Sequence, residues 1–157
     1  RMETVTATVD GLGLDATEQG LLAVVRHFLT SFAKPETQAW IMAFGIASER
    51  WGQSDGARMA QGLLAVLQAA LQARQGRSFQ FSDPLCEGCR HKATADEAAL
   101  LTMLHHMRRD HTGAARLALA DLTLGQMDAG PIRAGLSLAA LFPAEGATKP
   151  AAPPVFH

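Results

Sequence analysis

The residues best equipped for chemistry lie in one stretch: Cys86-Glu87-Gly88-Cys89-Arg90-His91, followed by His105, His106 and His111. Two thiolates three positions apart can grip one ion from a tight knuckle, and Gly88 lets the backbone turn between them. Zinc takes four such ligands in a tetrahedron. Cys86, Cys89, His106 and His111 supply two cysteines and two histidines at roughly suitable spacing, with His105 or His91 as alternates. The sequence therefore predicts a structural zinc site that ties an irregular segment to a histidine-bearing helix.

Geometry sets two conditions on that site. With Thr94 starting the helix, His105 lies about 17 Å along its axis, and the five residues from Cys89 to Thr94 span at most about 17 Å. The knuckle must therefore lie back along the helix. His106 and His111 would point about 140° apart on a continuous helix, so the helix must end near Arg109 or Asp110.

The same residues permit other readings. Cys86 and Cys89 could form a thiol- or metal-responsive sensor, since a Cys-x-x-Cys pair can have a depressed thiol pKa. A thioredoxin-like site would need a βαβ pattern, which the chain lacks. Haem attachment would need His directly after Cys89, where Arg90 stands. An iron–sulfur cluster would have to be shared between two chains. A metalloenzyme with an open coordination position is a further alternative. The plain reading makes the cysteines core residues and His111 a core histidine continuing the stripe of Leu100, Leu104 and Met107.

These residues need helices to position them. Asp15 to Glu18 reads as a helix start, with Leu21, Val25, Phe28 and Phe32 at helical spacing and Pro35 as the stop. A second helix opens at Pro35 or Glu36 with a stripe of Trp40, Phe44, Ala47 and Trp51. It is apolar nearly all round in its first half, and so is predicted to be central or to pack on two partners. Ser54 or Asp55 caps a third, with Met59, Leu63, Leu67 and Leu71 inward. Residues 75–92 are irregular, broken by Gly76, Asp83-Pro84 and Gly88. Thr94 and Glu97 form a capping box for the fourth helix. Thr112-Gly113 separates it from a fifth, and Gly130-Pro131 opens a sixth. Val5, Ala7 and Val9 alternate with threonines, a weak strand signal. The predicted fold is an all-α single-domain bundle of about six helices over residues 15–142. A flexible lead-in covers 1–14 and a disordered Ala/Pro-rich tail covers 143–157.

Composition narrows the function classes. The 157 residues carry 14 Lys plus Arg against 15 Asp plus Glu, evenly spread, which disfavours nucleic acid as a partner. No apolar run approaches the roughly 18 residues that cross a membrane, so no membrane partner is expected. Arg1 before Met2 reads as a trimmed end, no secretory signal is visible, and two cysteines make no secreted disulfide framework. The expectation is a cytoplasmic protein. Charged residues make up only 18%, below the usual quarter or so, which points to apolar surface and a homodimer through the second helix. Phosphate-loop, nucleophile-elbow and His-Glu-x-x-His motifs are missing. The combined expectation is a non-enzymatic helical regulator or adaptor, acting on an unidentified protein partner.

Overall fold

Two short strands and six α-helices make up the described residues, 6–144, of a computed structural model. β1 (Thr6–Thr8) leads through a 3-10 turn to α1 (Ala16–Ala33), α2 (Ala39–Trp51) and α3 (Gln53–Ala73). β2 (Lys92–Thr94) leads directly to α4 (Ala95–Met107), α5 (Thr112–Thr123) and α6 (Ala129–Leu141). The strands pair antiparallel, with Ala7 opposite Ala93 and Thr8 opposite Lys92. The chain is thus an all-α bundle with one small ladder. No helix of the described residues is long and apolar enough to cross a membrane.

Both capping boxes read from the sequence form. Asp15 caps α1 and Thr94 caps α4, and the glutamate three residues on answers each cap's backbone N–H. These caps satisfy amides that would otherwise be orphaned at a helix start. α1 and α4 are the central helices. Leu21, Val24, Val25 and Phe28 of α1 are fully buried, as are Leu100, Leu101, Met103 and Leu104 of α4. The helices run antiparallel, since Glu97 at the start of α4 pairs with Arg26 beyond the middle of α1, and Glu18 at the start of α1 pairs with Arg108 just past the end of α4.

α2 is not central; it packs on two partners, α1 and α3, the other arrangement that its composition allowed. It begins at Ala39, after a 3-10 turn over Pro35–Thr37 and a left-handed Gln38. Its buried face is Ala39, Ala43 and Ala47, which lets the backbone lie close to its neighbours. Trp40, Ile41 and Met42 fall on the other side and remain about half exposed, at 49%, 51% and 55%. The corner into α3 is equally tight. Gly52 turns with φ +85°, and α3 starts at once without the expected side-chain cap from Ser54 or Asp55. A side chain on Gly56 would come within 2.4 Å of the Ala47 carbonyl oxygen.

Residues 6–14 belong to the fold. Val9 and Leu14 are buried in the core, and the Val9 N–H donates to the His91 carbonyl at 2.8 Å. The remainder of the expected lead-in, 1–5, lies outside the described residues, as does 145–157 of the expected tail. Phe142 and Ala144 are buried against the bundle.

Candidate functional site

Four buried or half-buried arginines organise the surroundings of the chemically interesting residues. At one end of the α1–α4 pair, Arg26 grips Glu97 with two hydrogen bonds, Nε to Oε2 at 2.8 Å and Nη2 to Oε1 at 3.0 Å. Both side chains are almost completely buried. The guanidinium's other donors reach the irregular segment, at the Cys89 carbonyl (2.9 Å) and the Lys92 carbonyl (2.6 Å). Glu97 also accepts from the Ser82 N–H at 3.2 Å. This ion pair therefore fastens both limbs of the cysteine segment to the start of α4. Arg74 does the same one step back, pairing with Asp96 and donating to the carbonyls of Ser78 and Leu122.

Cys86 and Cys89 are joined by a disulfide on this fastened segment. Between them Glu87–Cys89 makes a 3-10 turn, closed by Cys89 N–H to the Cys86 carbonyl at 3.2 Å. Both cysteines are half-buried, while Leu85 beside them is 80% exposed. His91 is exposed, two residues past the turn. His27, buried on α1, has its pKa lowered by burial, and the nearby Asp83 carboxylate partly offsets this.

The histidines of α4 gather at its opposite end. There Glu18 accepts from His105 Nδ1 at 2.8 Å, from Arg109 at 2.7 Å and from Arg108. Asp15 adds a second carboxylate for both arginines. Burial alone would raise the Glu18 pKa. Hydrogen bonds from Arg109, His105, the Asp15 backbone and Arg108 outweigh it and hold the pKa down to about 2. Arg108 completes its bonding with the Phe142 and Pro143 carbonyls and lies 4.3 Å from the Phe142 ring centroid.

His106 and His111 meet as the spacing required. α4 ends at Met107, Asp110 takes a left-handed φ of +56°, and His111 stands just before α5. The two Nδ1 atoms lie 3.1 Å apart, one imidazole donating to the other. Burial lowers the His106 pKa, and the nearby His105, His111 and Arg109 lower it further. His111 is exposed, so it does not continue the buried stripe of α4.

The four expected zinc ligands therefore stand as two pairs. Cys86 and Cys89 are held beside Glu97, and His106 is nine residues, or about 14 Å, further along α4. The linker that was to run back along the helix instead pairs with β1 and is pinned by Arg26. Among the described residues, no group of three or more His, Cys, Asp or Glu is arranged to hold a metal ion. The alternates do not close the gap, since His105 is engaged by Glu18 and His91 is exposed on the β2 side.

The sequence reading missed the arginine clamps. Glu18 and Glu97 read as caps alone, and Arg108 and Arg109 were given no partner. The available signal was Arg26, which with His27 interrupts the apolar run from Leu21 to Leu29. No protein-family model, curated protein or solved structure matches the chain.

Proposed function

We propose that the chain is a non-enzymatic helical module that works through contacts with a protein partner, with Cys86 and Cys89 as its thiol-responsive element. One observation carries this reading: the disulfide turn sits on a segment fastened directly to a buried ion pair. Its Cys89 carbonyl is a ligand of Arg26, and Arg26 holds Glu97. A change at the sulfurs is thereby linked to the start of α4. The exposed Leu85 gives the turn an apolar tip for a partner to meet. The reaction is thiol–disulfide exchange. Two protein thiols reduce one low-molecular-weight disulfide, giving the Cys86–Cys89 bond and two small thiols.

The test is equilibration of the full chain in buffers of graded thiol-to-disulfide ratio. Mass spectrometry of the trapped cysteines is read beside amide hydrogen exchange. Reversible loss of two hydrogens, with faster exchange across 82–92 in the reduced form, is the expected result. A pair that cannot be reduced in the native state, or identical exchange in both forms, overturns the reading. Elemental analysis of the reduced protein addresses the zinc-clamped regulator and the shared iron–sulfur cluster. Stoichiometric zinc or iron on the thiolates would replace the disulfide reading with one of those.

A further inference from the structure

A cavity of about 210 Å³ opens where α4, α5 and α6 meet, at the opposite end of α4 from the disulfide. Its floor and walls are apolar: Met107 from α4, Ala115 and Leu119 from α5, Ile132 and Leu136 from α6. Its rim is cationic or hydrogen-bonding: His106, His111 and Arg116, with Asp110 as the one acidic residue in the lining. Arg116 is exposed and forms no ion pair among the described residues. Thr112, the first residue of α5, also lines the cavity, so the positive end of that helix adds to the rim.

We infer that this cavity binds a small aryl monocarboxylate, with the ring inside and the carboxylate at His106, His111 and Arg116. Three features select that class. An apolar cavity of about 150 Å³ takes a benzene ring, so this one has room for a ring with a short substituent. Met107 supplies a thioether, which makes favourable contacts with aromatic rings. The rim offers one guanidinium and two imidazoles against one carboxylate, the arrangement that receives an anion. Burial first, and then the neighbouring His105, His111 and Arg109, lower the His106 pKa, and an anion at the rim would oppose that shift. His106 and His111 already contact each other and present a paired polar edge at the mouth. This site stands independently of the thiol reading.

Phenylacetate is the probe, titrated into the full chain and followed by calorimetry and by the ring resonances of His106 and His111. A dissociation constant of about 1 mM or tighter is expected for so small a ligand. Phenylacetamide, which keeps the ring and loses the charge, should bind about tenfold more weakly, because charge-assisted hydrogen bonds are the stronger ones. Arg116→Ala should weaken phenylacetate by a similar factor and leave phenylacetamide unchanged. Leu136→Trp, at a half-exposed position, should block the mouth and abolish binding of both. Ala115→Leu should fill the interior with the same effect. Equal affinity for the acid and the amide would overturn the proposal. So would full binding by the Leu136→Trp protein, or the absence of any histidine shift at saturating phenylacetate.

Discussion

Glu18 and Glu97 each accept hydrogen bonds from two directions, the backbone of their own helix start and an arginine on the other central helix or just past its end. Neither carboxylate has any exposed surface. A buried charge of this kind is tolerable only while its partners remain, because desolvation is not recovered elsewhere. Arg26→Met keeps the apolar stem and removes the charge, leaving Glu97 stranded. The expected cost is about 3–5 kcal/mol in urea denaturation; a loss below about 1 kcal/mol would mean that Glu97 simply protonates. Glu18 gives a pH prediction. Its folded pKa of about 2 lies below the ordinary 4.5, so its contribution is fully present above pH 4.5 and is lost as pH falls toward 2. Glu18→Gln should flatten the acid limb of the stability curve over that window. An acid limb as steep as that of the unaltered chain would show that other carboxylates carry it.

Small residues decide how the elements approach each other. Gly56 faces the backbone of Ala47 and Ser48, with less than 3.0 Å available to an added side-chain carbon. Gly56→Ala should therefore push α2 from α3 and lose roughly 1–3 kcal/mol, outweighing the helix propensity gained. Gly45, on the same α2, meets nothing within 4 Å. Gly45→Ala is expected to gain about 0.5–1 kcal/mol, and thermal melts of the two variants should move in opposite directions. This contrast also explains what was legible in the sequence. Helix starts were readable because Asp15–Glu18 and Thr94–Glu97 carry local chemistry that needs no partner. The orientation of α2 was not, because periodicity marks apolar residues without saying that alanines would take the buried face and tryptophan the open one. The His106–His111 meeting was readable as a condition on where α4 ends. The separation of the cysteines was not, since it depends on Arg26, 63 residues away in the chain from Cys89.

At the scale of the whole molecule, the described residues divide into two runs of the same order, a strand followed by three α-helices. They are joined by β1 on β2, by α3 against α6, and by the clamps at the two ends of α4. Those clamps cross the division in both directions, Arg26 reaching forward to Glu97 and Arg108 reaching back to Glu18. Neither half can keep its capping glutamate buried and paired without the other. The expectation is a single cooperative unfolding transition, as is usual below about 150 ordered residues. The two tryptophans make this measurable, because Trp40 and Trp51 both lie in α2 and report on the first half alone. Circular dichroism reports on all six helices of the described residues. Urea curves followed by tryptophan fluorescence and by far-ultraviolet dichroism should superimpose, in midpoint and in slope. A fluorescence transition that precedes the loss of helix signal would mean that the first half opens alone, and that the clamps dock two units which fold separately.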